Sequence, residues 1–374
     1  MKLRIALFAI LLMTAWSMTA VASGPITSPE GVASDIRNHE FSIPADKLAA
    51  NPGDLLAGAT AAANYVRYMQ SDVTEDNAGN GFSDSDNQDG GWDWVTTIFE
   101  HSTSPSAPNL YGVTANALFQ TYQFAPTDEL FQAMEDAANQ IIIAGPTNIR
   151  SASDVTFLLN FSTISNNPVF YRGGAELIWL YRLTTYGTAT LFAEFLRDYR
   201  GVPYPNGIVA WDLGAWVKAV QKLSDAFGGL YDTDADDIAE VMYLDSFALA
   251  PGYFDVHGAN KGAIDDYSDN HFWWYTLGVT GLIDGFTAAD VHTAELPALE
   301  AVLLECQYDW GAFSYQYGAN ANFNDADDQT TAYACQTLDG MADTPANLNA
   351  LYNGAFVLSA WQDDVSGAQV YTDG

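Results

Sequence analysis

The sequence predicts an all-α protein, and three observations carry that expectation. From about Asp54 onward apolar residues recur three and four apart, the alternating pattern of strands is almost absent, and helix-start residues stand where the periodic stretches begin. Thr127 precedes Asp128 and Glu129, Thr287 stands three residues before Asp290, and Thr344 precedes Pro345 at a first helical position. Apolar residues make up 48% of the 374, and 13% are aromatic, which is enough to build a core in spite of a formal charge of −34.

In chain order, Lys2 and Arg4 open a short positive region, Ile5 to Trp16 is almost wholly apolar, and Ala20-Val21-Ala22 has the small-x-small form of a cleavage site. Residues 1–22 therefore read as a secretory signal peptide, cut near Ala22, with an uncleaved anchor as the alternative. No later apolar stretch is long enough to span a bilayer, so a secreted or periplasmic chain without a membrane span is expected. Residues 23–47 form an irregular lead-in containing Pro25, Pro29 and Pro44. Residues 48–374 are expected to make one domain, with helices near 54–70, 111–123, 127–143, 172–186, 188–199, 208–227, 235–248, 271–284, 288–306, 329–341 and 345–361.

Two stretches of this helical chain resemble each other. Tyr68-Met69-Gln70 leads through an Asp/Asn/Gly loop to Gly90-Gly91-Trp92-Asp93-Trp94, then to Gly112-Val113-Thr114-Ala115. Leu304-Glu305-Cys306-Gln307 leads to Gly311-Ala312-Phe313-Ser314-Tyr315, then to Asp325-Ala326-Asp327-Asp328-Gln329-Thr330-Thr331-Ala332. Each is a helix, a Gln, a Gly-x-aromatic turn, a polar loop, and a helix opened by Thr-Ala. A third copy begins at Ala360-Trp361-Gln362 and Gly367, and predicts an incomplete terminal repeat. Glycine allows the tight turn, the ring packs across the end of a helix pair, and the Gln amide is suited to exposed helix-terminal groups. Such hairpins bury their faces only by stacking on one another.

These residues resemble the repeats of the squalene-cyclase and protein-prenyltransferase group, specifically at 68–118 and 304–338. The resemblance implies an α/α toroid of concentric inner and outer helices, with a central cavity rimmed by the loops that enter the inner helices. An irregular helical bundle or solenoid is the rival arrangement.

Class II terpene cyclases carry a motif similar to Asp325-Ala-Asp327-Asp328. By that resemblance Asp327 would be the proton donor and Asp325 and Asp328 its supports, since closely placed carboxylates cannot all ionise. Here Gln329-Thr330 interrupts the pattern, and the same residues read equally as helix-terminal carboxylates. Asp269-Asn270-His271-Phe272-Trp273-Trp274-Tyr275 loosely resembles a segment of toroid alginate lyases. That likeness implies Asn270 as neutraliser of a uronate, His271 as base and Tyr275, one helical turn later, as acid. The alternative is an aromatic belt in the core.

Asp84-Ser-Asp86-Asn-Gln-Asp89 and Asp232-Thr-Asp234-Ala-Asp236 place carboxylates at alternate positions, as oxygen-only Ca²⁺ sites do, although neither has the glycine and twelfth acidic residue of an EF-hand loop. They stand as candidate calcium sites against solvated acidic loops. No other cofactor is indicated. Trp94, Tyr111, Trp273, Trp274, Tyr315 and Tyr333 lie at loop-to-helix junctions, where rings can stack on sugars or enclose an apolar chain. Cys306 and Cys335 are the only cysteines, and a bridge and two buried thiols both stay open.

With 13 basic residues against 47 acidic, nucleic acid and anionic membrane surfaces are poor partners. The expected function is an exported protein binding a glycan polymer or an apolar small molecule. The alternatives are a polysaccharide lyase or hydrolase, and a terpene-cyclase-like enzyme. Oligomeric state is not legible.

Overall fold

A computed structural model describes residues 52–68, 90–92, 110–145, 152–201, 208–244, 274–317 and 328–360, together with residues 70, 246 and 326. Among them are twelve α-helices: α1 (Pro52–Tyr68), α2 (Tyr111–Tyr122), α3 (Asp128–Ala144), α4 (Ala152–Phe161), α5 (Pro168–Tyr186), α6 (Ala189–Gly201), α7 (Ile208–Ala226), α8 (Asp232–Tyr243), α9 (Thr276–Ala289), α10 (Leu296–Glu305), α11 (Asp328–Gly340) and α12 (Pro345–Ala360). The fold is all-α. Its only extended pairing among the described residues is a two-residue antiparallel bridge, β1 (Trp274–Tyr275) with β2 (Gln316–Tyr317), in which Trp274 faces Tyr317. The leader and lead-in lie outside the described residues. No helix of the described residues is long and apolar enough to cross a membrane.

Three departures from the expected helices have local causes. Helix α4 was not anticipated, because Val155, Phe157, Leu158, Leu159 and Phe161 are all buried and an element apolar on most sides shows no periodicity. The helix expected from 271 begins instead at Thr276, after the bridge, where the Thr276 hydroxyl donates to the Ser314 carbonyl at 2.6 Å. The helix expected over 288–306 is broken: Asp290 and His292 adopt positive φ, and a 3-10 turn (Thr293–Glu295) then leads into α10.

The described elements fall into two compact units. The first, drawn from residues 1–140, 308–313 and 325–374, holds α1, α2, most of α3, α11 and α12. Its two helical hairpins repeat each other. A constant displacement of 217 residues carries Thr114 onto Thr331, Thr127 onto Thr344, and Asp136 onto Asn353. Thr127 Oγ1 accepts the Leu130 N–H at 3.2 Å, and Thr344 Oγ1 accepts the Asn347 N–H at the same distance. Gly90 and Gly311 both hold positive φ, +77° and +107°. A Cβ on Gly90 would stand 3.0 Å from Asp136, and one on Gly311 would stand 2.7 Å from the Asn353 carbonyl oxygen. Each glycine is thus pinned against the same turn of the second helix of its hairpin, and the ring two residues on, Trp92 or Phe313, is fully buried. Gln70 closes the first copy by donating to the carbonyls of Gly90 at 2.6 Å and Ala133 at 2.8 Å. Its partners are a turn and a mid-helix carbonyl, not the helix terminus anticipated from the sequence.

The second unit, residues 141–307 with 314–324, holds α4 to α10 and the bridge. Helix α7 is its axis and touches α4, α5, α6, α8 and α9. Against α9 the approach is backbone to backbone. A Cβ on Gly214 would overlap the Gly281 carbonyl, one on Gly281 would overlap the Ala210 carbonyl, and one on Gly285 would stand 3.2 Å from the Gly214 Cα. On another side of α7, Trp216 meets Phe192 at 4.9 Å and Trp179 at 5.7 Å between ring centroids. Arg182 is 1% exposed beneath these rings, its guanidinium 5.7 Å from the Trp216 centroid, and burial lowers its pKa.

Gly281→Ala is expected to lower stability by about 3 kcal/mol, since two helix backbones must separate to admit the methyl. Gly173→Ala, at a helical position with nothing within 4 Å, should raise it by up to about 1 kcal/mol. Urea unfolding of both variants checks the contrast, and equal effects would refute the backbone contact.

Candidate functional site

The densest polar arrangement among the described residues surrounds the start of α8. Helix α7 ends at Gly228 and Gly229, both at positive φ, and the Gly229 N–H returns to the Ser224 carbonyl at 2.9 Å. This sharp stop lays Tyr231 and Asp232 back on the end of α7. The Ser224 hydroxyl accepts the Tyr231 N–H at 2.8 Å and donates to Asp232 Oδ1 at 2.6 Å, which Gln221 also reaches at 3.1 Å. The Tyr231 hydroxyl donates to Glu176 Oε1 at 2.7 Å, and the Trp179 indole N–H donates to Asp234 Oδ2 at 2.9 Å.

Three carboxylates from α5 and α8 therefore rest on neutral donors. Two carboxyls of α8 are nevertheless raised, by burial and by neighbouring carboxylates. Burial lifts the Asp234 carboxyl above its ordinary value, the Trp179 hydrogen bond works against it, and neighbouring Asp237 adds to it. Asp236 is raised by burial and then by the charges of Asp232 and Asp237. Burial and the Glu176 carboxylate push the Tyr231 phenol up, which keeps it a donor.

A second cluster lies at the end of α9. His292, in the left-handed region at φ +50°, stacks flat on Tyr243 with ring centroids 3.9 Å apart, and its Nε2 lies 2.9 Å from Glu240 Oε2. Neither cluster was legible in the sequence. Glu176 and Tyr231 are 55 residues apart, and His292 has no local motif. The sequence signals were the Asp232-Thr-Asp234-Ala-Asp236 run, which supplies acids but not their partners, and the Gly228-Gly229 pair, which marks a helix stop and hence the return of the chain onto α7.

Some residues singled out from the sequence are placed differently. Asp232, Asp234 and Asp236, a candidate calcium site with the helix expected only from about 235, form the first turns of α8. Asp232 and Asp236, four residues apart, share one face of α8, while Asp234 lies about 200° round from Asp232 and takes the Trp179 indole as its own partner. No group of three acidic, His or Cys side chains suited to a shared metal occurs among the described residues. Tyr275 stands in the extended bridge, and with it goes the helical spacing that set it one turn from His271. Asp328 is 4% exposed in the first turn of α11, where its Oδ1 accepts the Gln329 N–H at 2.9 Å. Tyr111 is buried at the start of α2, while Tyr315 and Tyr333 are half-buried. Cys306 and Cys335 are separate buried thiols, the former pushed up to about 12 by burial. Asp84, Asp86, Asp89, Trp94, Asn270, His271, Trp273, Asp325 and Asp327 lie outside the described residues, and of Trp274 only the backbone is described.

Comparison with protein-family profiles, curated proteins and solved structures finds no match to this chain.

A raised acid binds its proton more tightly in the fold than in the unfolded chain. Its contribution to stability is therefore full below the ordinary carboxyl value, about pH 4, and is lost as pH rises through the folded value. Asp234→Asn keeps an acceptor for Trp179 and removes the buried anion. The urea midpoint at pH 7 should be unchanged or higher, and the fall in stability above about pH 4 should be shallower than in the parent. A steeper fall would show that the anion is the favoured form.

Proposed function

We propose that the mature chain is an exported α/α-toroid protein of the squalene-cyclase and prenyltransferase repeat type, which binds a glycan polymer or an apolar ligand at an aromatic-rimmed central cavity. The observation that carries this reading is the recurrence of one hairpin module in the first unit, with Gly90 and Gly311 seated on equivalent turns of α3 and α12. Repetition of a module that buries its ring inward favours a closed stack of hairpins over an irregular bundle. Tyr333, half-buried near the start of α11, is the ring of that unit taken to meet the ligand.

Binding is favoured over turnover by what the described candidates do. Asp328 is buried and engaged with backbone, a positioning role at a helix start. The carboxylates of Asp232 and Asp234 are engaged by serine, glutamine and indole donors.

The test is a panel of neutral and acidic polysaccharides, scored for retention by affinity electrophoresis and for new unsaturated or reducing ends. Retention on at least one glycan, or on an apolar resin, without product is expected. Tyr333→Ala should weaken that retention by about 10-fold, the worth of one stacking ring. Product formation would replace this reading with a carbohydrate-active enzyme, and no retention on any matrix would end it.

A further inference from the structure

Helix α5 is apolar on two opposite faces. One face, with Tyr171, Ala175, Ile178, Trp179 and Arg182, is buried in the second unit. The other carries Val169, Phe170, Leu177, Leu180 and Tyr181, exposed by 80, 45, 63, 38 and 38%. Their spacing over 169–184 keeps them within one stripe about 120° wide. Two further residues complete it. Gly173 has nothing within 4 Å of where its Cβ would be, and the Thr184 hydroxyl donates to the Leu180 carbonyl of its own helix at 2.8 Å, which leaves its methyl outward.

The stripe contains no charged residue. The stretch from 168 to 201 carries four arginines, Arg172, Arg182, Arg197 and Arg200, against three acids, Glu176, Glu194 and Asp198, in a chain of net charge −34. Two copies of so acidic a protein repel over most of their surfaces. They do so least where the local balance is near zero, and there the apolar stripe lies.

We propose that this face of α5 is the contact between two copies of the chain, paired antiparallel about a two-fold axis at Leu177. The sequence of the stripe is self-complementary about that residue. A two-fold there sets Leu177 against its own copy, Gly173 against Tyr181, and Phe170 against Thr184. Off the axis Tyr181 and Phe170 each meet a small residue, on it Leu177 meets itself, and the pairing is reciprocal, as an isologous interface requires. A partner of different chemistry would need an equally uncharged apolar ridge with this spacing, and the chain already supplies one. The stripe spans about four helical turns, roughly 20 Å, which fits a weak dimer and not an obligate one.

The charge arithmetic fixes the sign of the salt effect. Adding salt screens the repulsion between the acidic bodies and leaves the apolar contact intact, so association should strengthen as the screening length falls from roughly 10 Å at about 0.1 M to roughly 3 Å at about 1 M. A contact held by opposite charges would weaken over the same range.

Sedimentation velocity of the full mature chain at about 100 µM, well above a micromolar Kd, is the test. A dimer fraction that rises with salt is expected. Leu177→Glu, which sets two carboxylates against each other on the axis, and Gly173→Leu, which fills the socket, should each weaken association by about 10-fold or more. Leu177 is exposed and nothing lies within 4 Å of where a Gly173 Cβ would stand, so melting temperatures should not fall, and Leu230→Glu, 64% exposed on the loop before α8, should leave association as in the parent. A chain monomeric at every salt concentration overturns the proposal. So does a dimer indifferent to both α5 variants, a dimer that salt dissociates, or a monomer that takes up a fluorescent apolar probe on this stripe, which would assign the face to a ligand.

Discussion

Two helices of the second unit meet at glycines, and most of that unit is arranged around the meeting. Gly214 of α7 lies against Gly281 of α9, with Ala210 and Gly285 a turn away on either side. Helix axes usually stay 8–10 Å apart because side chains intervene. With the side chains gone from this crossing, α7 can be drawn in on one flank, where Val217 packs beside Gly285, while another side carries the ring of Trp216 into the core. The other helices then close on α7 through large residues: Trp179 from α5, Phe192 from α6, Ile238 and Met242 from α8. A crossing of this kind tolerates no added atom, which is why a core otherwise built from interchangeable hydrophobic volume depends on three particular glycines.

The first unit is organised by a different device, used twice. A glycine in the left-handed region turns the chain over the end of a hairpin, and the following ring drops into the gap. In the first copy the indole N–H of Trp92 donates to the Val66 carbonyl at 3.0 Å, so the ring is held at both its apolar body and its polar tip. In the second copy the Phe313 amide donates to Thr331 Oγ1 at 3.0 Å, and the ring itself needs no polar partner. The copies differ where chemistry allows, in ring type and in loop length, and agree where geometry does not. Leu118 and Cys335 also occupy equivalent positions, and the smaller Cys335 sits directly over Gly354.

The acidity of the chain has a structural counterpart in how its carboxylates are held. Around α8 they rest on hydroxyl, amide and indole donors, and among the described residues Lys218 with Asp284 at 2.7 Å is one of few ion pairs. With so few cations available, neutral donors satisfy the acids, while burial and neighbouring carboxylates raise Asp234 and Asp236. The near-neutral hairpin of α5 and α6 stands out against this background, and its apolar outer stripe gains meaning from that contrast.

Periodicity and start signals determined the helical class, the limits of most helices to within a few residues, and the internal repeat, because each is written in local spacing. Thr127 and Thr344 were readable as caps, and Gly90 and Gly311 as turns, from their neighbours alone. Helix α4 was not, since a helix buried on most sides has no polar phase to reveal it. The extended pairing at Trp274 and Tyr275 was hidden as well, because it is specified by residues more than 40 positions away in the chain. Which carboxylates share a surface, which acids lose water and which glycines touch were settled only by tertiary structure. Burial and contact between Glu176 and Tyr231, or Gly214 and Gly281, are properties of helices brought together, and no window of sequence contains both partners.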